Sequence, residues 1–120
     1  MLYLYGIANC ATVKKARAWL EEDEVAYEFV DFKKTPPDQA LIERWLHDVH
    51  LEQLVNRKGT TWRKLTDEQR ASADDRAAAI RLMIENPSLI KRPVLDSGEH
   101  CIVGFQEEVF ESFVAAMEEE

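Results

Sequence analysis

The hydrophobic period of the chain changes twice before residue 33, and that change restricts it to folds containing a strand-helix-strand unit. Leu2 to Tyr5 alternate aliphatic and aromatic side chains and end at Gly6, which reads as a strand. From Thr12 the period becomes helical: Val13, Ala16 and Leu20 recur on one face with Trp19 beside them, and Lys14, Lys15 and Arg17 lie on the other. Arg17 and Glu21 have the spacing of a weak helical ion pair. Over Val25 to Phe32 the alternation returns, with Val25, Tyr27, Phe29 and Asp31 on one side and Ala26, Glu28, Val30 and Phe32 on the other. Strand, helix and strand within about thirty residues predict a parallel unit with a right-handed crossover.

The middle of the chain reads as helical. Pro36-Pro37 closes the strand region, and Asp38 is placed to cap a helix whose buried stripe is Leu41, Ile42, Trp45 and Leu46. Leu51, Leu54 and Val55 suggest a short helix before the loop Asn56-Arg57-Lys58-Gly59. Thr66 with Gln69 has capping-box spacing. Ser72 with Asp75 has a related spacing ahead of a helix bearing Ala77, Ile80 and Ile84, which Asn86-Pro87 stops. The period then changes again. Pro93-Val94-Leu95 reads as a strand, Asp96-Ser97-Gly98-Glu99 as a turn, and His100 to Phe105 as the returning strand of a hairpin. Val109, Phe110, Phe113, Val114 and Met117 mark a closing amphipathic helix. The order predicts an α/β fold, a mixed sheet with helices on its faces.

Composition sets the outer limits. A length of 120 residues suggests one domain, and 46% hydrophobic with 9% aromatic residues fits a folded chain rather than a disordered one. A net charge of −8 argues against a general nucleic-acid binder, which needs a basic face to displace counterions from phosphates. Glu118 to Glu120 read as an acidic, frayed tail. No apolar run approaches bilayer length and no basic segment precedes an apolar one near the start. The expectation is therefore a cytoplasmic protein without signal peptide or membrane span. In that compartment two cysteines are expected as free thiols. His47 and His50 could share a helix face with Glu43, but no other segment offers matching metal-ligand spacing, so they are expected to be solvated and no metal is expected. Trp45 and Trp62 fall at helical positions where aromatic residues usually serve the core.

Cys10 is the residue with chemical content. It lies between the first strand and the first helix, in Gly6-Ile7-Ala8-Asn9-Cys10. Loops leaving the carboxyl end of a parallel strand are the usual site location in such sheets. A thiol there meets the free N–H groups and positive end of the helix, both of which favour thiolate. Lys14 and Arg17 would add to this if they faced the same way. A phosphatase loop would need Arg where Ala16 stands, and a Cys-x-x-Cys dithiol would need Cys where Val13 stands. Any disulfide cycle must then use an external thiol such as glutathione, or the distant Cys101, which reads as a core residue. Arg92-Pro93 precedes a strand near this helix. An ordinary strand-entry proline is the default there, although the cis isomer costs an X-Pro bond little.

Four segments carry a family resemblance: Asn9 to Arg17, Arg57 to Leu65, Leu89 to Val94, and Val103-Gly104-Phe105. In order and spacing they resemble the arsenate reductase/Spx (ArsC-like) family, most nearly its YffB subgroup, over nearly the whole chain. The resemblance implies a thioredoxin-like fold, a four-stranded mixed sheet in one domain over 1–120, with a helical insertion at about 38–86 between the βαβ and ββα halves. It implies a cis bond at Arg92-Pro93. It assigns the nucleophile to Cys10, which matches the cysteine that attacks the oxyanion in the glutaredoxin-coupled arsenate reductases. Candidate anion-binding residues are Arg92, Arg57, Lys58, Lys14, Pro93 and Asn9, with Arg57 and Lys58 competing for one position. Three arginines hold the oxyanion in those reductases, and no arginine lies near Val103-Gly104 to supply the third.

Function is thus expected to be that of a monothiol reductase acting with glutathione as co-substrate, without a bound cofactor, in a monomer that has glutaredoxin as a possible partner. One alternative is a regulator that binds RNA polymerase, as the Spx proteins do; Val13 removes the dithiol switch that many of those carry. The other is true arsenate reduction, which the missing third arginine disfavours.

Overall fold

The computed structural model describes residues 1–119. Chain packing divides them into two compact units. One comprises 1–30 with the segment from Arg92 onward, and the other comprises 31–91.

The first unit holds the sheet. Strands β1 (Tyr3–Gly6), β2 (Glu28–Asp31), β3 (Val94–Asp96) and β4 (Cys101–Val103) lie in the order β2-β1-β3-β4. β1 and β3 are antiparallel, with Tyr3 opposite Asp96 and Tyr5 opposite Val94. β3 and β4 form the expected hairpin, with Asp96 opposite Cys101 and Val94 opposite Val103. Directly opposed residues share a face. Leu4 and Leu95 therefore point to one side, and Tyr3, Asp96 and Cys101 to the other. The first side packs against helices α1 (Ala11–Glu22) and α7 (Glu107–Glu118), where Leu2, Leu4 and Leu95 meet Ala16, Leu20, Phe110 and Val114. Trp19 and Phe105 each meet the Phe110 ring edge-on, at centroid distances of 5.8 and 4.8 Å. The mixed sheet with helices is the one the element order predicted, and its arrangement is the thioredoxin-like one the resemblance implied.

Several boundaries moved, each for a local reason. The alternation over 25–32 predicted a longer strand than Glu28–Asp31. Its first residues instead close α1. The Val25 N–H donates to the Leu20 carbonyl and the Glu24 N–H to that of Glu21, with Glu24 left-handed at φ 55°, which is the Schellman pattern. Side chains at 25 and 27 still pack inward, so the sequence alternates where the backbone is not in the ladder. Arg17 does not pair with Glu21. Its Nε donates to the Tyr27 hydroxyl at 3.0 Å and its guanidinium sits 4.2 Å over the Phe29 ring, fastening α1 to the β2 segment. At the other end, Glu118 is helical and Glu119 caps α7, so the acidic tail is ordered further than expected; Glu120 lies outside the described residues.

The second unit is helical: α2 (Gln39–Trp45), α3 (Leu51–Leu54), α4 (Thr60–Lys64), α5 (Asp67–Ser72), α6 (Arg76–Glu85) and a 3-10 turn at Pro87–Leu89. Asp38 caps α2 by accepting from the Leu41 N–H at 2.9 Å, and Thr66 and Gln69 form the capping box of α5. Ser72 is not a cap. It ends α5, donating to the Gln69 carbonyl, and Asp75 caps α6 by accepting from the Ala78 N–H. Trp45 is buried against Phe32; His47 and His50 are exposed. No helix among the described residues is long and apolar enough to cross a membrane.

Candidate active site

Cys10 heads α1. Its backbone is extended (φ −82°, ψ 127°), its N–H donates to the Ile7 carbonyl at 3.1 Å, and its own carbonyl accepts from the Lys14 N–H at 3.0 Å. The residue is therefore fixed from both sides as the N-cap, the position from which a side chain faces the second and third amides of a helix. Those amides belong to Thr12 and Val13.

Burial acts on the thiol first and raises its pKa. The Val13 N–H, a hydrogen bond from the Arg92 side chain, the Thr12 N–H and the positive charge of Arg92 act against it, and the outcome lies below the ordinary thiol value. The thiol is half-buried, so it is shielded yet within reach of a reagent.

Arg92 enters from the opposite side of the sequence. It lies two residues before β3, and the Arg92-Pro93 bond is cis, as the resemblance implied and the default for a strand-entry proline did not. Pro93 is buried and its carbonyl accepts from the Gly104 N–H at 2.8 Å, which brings the Val103-Gly104 segment beside it. Gly104 has φ 82°, a conformation in which glycine is at no disadvantage. No arginine occurs between Cys101 and Gln106.

Asn9 is exposed in the turn before Cys10, and Lys14 is exposed on the first turns of α1. Arg57 and Lys58 belong to the second unit. Arg57 pairs there with Asp74 at 3.0 Å and lies 5.1 Å over the Trp62 ring; the Lys58 N–H donates to the Asn56 side chain at 3.1 Å. The register also defines Cys101, which is 5% exposed. It aligns through Asp96 with Tyr3, the first residue of β1, whereas Cys10 lies beyond Gly6, the last. That offset is about 10 Å along the strands, with another ~10 Å across two strand spacings. A disulfide needs Cα atoms within about 7 Å, so Cys10 and Cys101 cannot join in this fold. Cys101 also points to the sheet face opposite α1. Sequence reasoning missed Gly6, whose contact with Val13 is described below; a glycine at a strand end gives no signal of what packs on it.

The sheet order and the cysteine at the head of α1 define the class, a thioredoxin-like protein. The chain belongs to the ArsC family, whose description matches residues 5–113. Among solved structures it is similar to a YFFB protein, with 45% identity, a TM-score of 0.89, and coverage of 93% of this chain and 97% of that one. It is also similar to an arsenate reductase (ArsC) related protein from Brucella melitensis, at 44% identity and a TM-score of 0.73, covering 94% and 93% of the two chains. The global transcriptional regulator Spx of Streptococcus agalactiae is 28% identical over 119 residues, covering 95% of this chain and 83% of its own.

Proposed function

We propose that the chain is a glutathione-dependent thiol oxidoreductase in which Cys10 is the single nucleophile. The observation that carries this is the surroundings of the Cys10 sulfur: two helix amides and the Arg92 side chain all favour its anion. The Cys10 thiolate attacks a sulfur of a glutathione mixed disulfide. The S–S bond breaks, a Cys10–glutathione disulfide forms, and the other sulfur leaves as a thiolate. A second glutathione thiolate then attacks the glutathione sulfur of that adduct. Glutathione disulfide departs and the Cys10 thiolate returns; the other half of the mixed disulfide has been reduced to its thiolate and one glutathione has been oxidised. Arg92, with Lys14 and Asn9, which lie close to Cys10 in sequence, would receive the anionic groups of glutathione. An external resolving thiol is required because Cys101 is out of reach.

Membership of the ArsC family and likeness to a protein described as arsenate reductase related support thiol redox chemistry. Arsenate itself is a poorer fit. A compact dianion must be desolvated by several donors held around the sulfur, and the segment beside Pro93 carries no arginine. Likeness to Spx supports a second reading, a regulator that docks on RNA polymerase.

The test is incubation with glutathione disulfide, followed by mass spectrometry of the intact protein and a coupled assay with glutathione and glutaredoxin. We expect one glutathione on Cys10, none on Cys10→Ser, turnover of a small mixed disulfide, and little turnover of arsenate. Efficient arsenate reduction abolished by Cys10→Ser would establish the arsenate reading instead. Absence of any adduct, with RNA polymerase recovered stoichiometrically on the immobilised protein, would establish the regulatory one.

A further inference from the structure

Gly6 closes β1 and lies under the first turn of α1. A Cβ built on it would stand 2.7 Å from Cγ2 of Val13, 3.3 Å from Cγ1 and 3.6 Å from Cβ. The first distance is shorter than side-chain carbons tolerate, so Val13 sits where only a glycine permits it. Val13 is fully buried. Because it is β-branched and helical, nearly all of its population is confined to one χ1 rotamer, so the side chain cannot simply swing aside. A carbon added at Gly6 must then push Val13 as a whole, backbone included. Val13 is the third residue of α1, and Cys10 is the cap of that same turn, held by the Ile7 and Lys14 hydrogen bonds.

We propose that Gly6 is a positioning residue for Cys10: the missing side chain lets Val13 seat directly on the end of β1, and this seat sets how closely the first-turn amides of α1 approach the sulfur. The inference rests on the role given to Cys10 above. The attraction of an amide N–H for an anion weakens steeply with distance and angle, so a displacement of a few tenths of an ångström at Val13 changes what these amides contribute. Gly6 itself never touches the sulfur or a substrate.

The experiment is the pH dependence of Cys10 alkylation in four proteins: wild type, Gly6→Ala, Val13→Ala and the double variant. Folding is followed in parallel by circular dichroism and thermal unfolding. Gly6→Ala should raise the alkylation midpoint by about half a pH unit, roughly a threefold loss of thiolate below the midpoint. In the double variant the γ-carbons that the new Cβ meets are gone, and the midpoint should return to that of Val13→Ala. Thermal stability should fall further there, because a buried side chain has been truncated. Midpoint and stability thus move in opposite senses, which a merely structural role would not produce. An unchanged midpoint in folded Gly6→Ala, or one that the second substitution does not restore, would overturn the proposal. If Gly6→Ala does not fold, Val13→Ile serves: it lengthens one γ-branch of Val13 and should raise the midpoint in the native Gly6 background, and no rise would equally overturn it. A wild-type midpoint in the ordinary thiol range would remove the function proposed above, while the shift between variants would still decide the role of Gly6.

Discussion

Two opposing effects act on the Cys10 sulfur, and the balance between them can be read residue by residue. Burial favours the neutral thiol; the Val13 and Thr12 amides and Arg92 favour the anion and prevail. Arg92→Ala should therefore raise the alkylation midpoint of Cys10, and Arg92→Lys should recover part of the shift by restoring charge without the planar fork. The same balance has a consequence for stability. A thiol whose folded pKa is depressed loses its proton in the native state before the unfolded state does, so stability rises with pH between the two values. The contribution is complete above the unfolded-state pKa and disappears as pH falls through the folded one. The stability of wild type relative to Cys10→Ser should accordingly grow as pH is raised towards the ordinary thiol pKa and level off above it, and chemical denaturation at a series of pH values would measure it. A difference that stays flat across that range would show that the native fold has no preference for the thiolate. Cys10 itself was legible because a cysteine between a strand signal and a helix signal has few bland uses. Arg92 needed the family pattern, since nothing in the local sequence says that the residue before Pro93 turns toward a helix at the other end of the chain.

At the scale of elements, what the sequence stated well was chemistry confined to a few neighbouring residues. Asp38 and the Thr66/Gln69 box appear as caps where their spacing put them. Ser72 shows where such reasoning stops: two oxygens three residues apart could each cap, and the one nearer the next helix, Asp75, takes the role while Ser72 closes the preceding one. Thr66→Ala should cost about 1 kcal/mol, the usual loss for an N-cap, and Asp75→Ala a similar amount. Ser72→Ala should change the denaturation midpoint by much less, and a loss equal to that of Asp75→Ala would mean the capping assignment is wrong. The strand boundary at 25–27 was hidden for a different reason. Val25 and Tyr27 pack inward as strand residues would, but the Val25 amide is spent on the Leu20 carbonyl, and a left-handed Glu24 is not something a glutamate advertises. Arg17 belongs with these. Its spacing to Glu21 is local and visible, whereas Tyr27 and Phe29 become its neighbours only once β2 has folded back beside α1.

Across the whole molecule, charge and thiols are distributed unevenly, and both bear on the chemistry. Residues 1–30 and 92–120 carry four Lys or Arg against thirteen Asp or Glu, a net −9, whereas 31–91 carry eleven against ten, a net +1, so the negative charge resides on the unit that holds Cys10. An anionic reagent approaching that unit depends on its few cations, Arg92 and Lys14 among them, which makes the removal of either more costly for a charged disulfide than for a neutral one. The thiols differ in the same all-or-none way. Composition alone left open whether Cys10 could be resolved by Cys101, because sequence separation does not reveal register. The ladder does: Cys101 stands level with Tyr3, at the far end of β1 from Cys10 and on the opposite sheet face. Mild oxidation in the absence of small thiols should therefore give no internal disulfide. With glutathione disulfide present, the product should be a single mixed disulfide at Cys10, reversed by excess glutathione, with Cys101 staying reduced and reached by alkylating reagents only after denaturation. Peptide mapping of the oxidised protein under non-reducing conditions measures this directly. Recovery of a peptide joining Cys10 to Cys101 from folded protein would contradict the register of β1, β3 and β4 and, with it, the need for an external thiol.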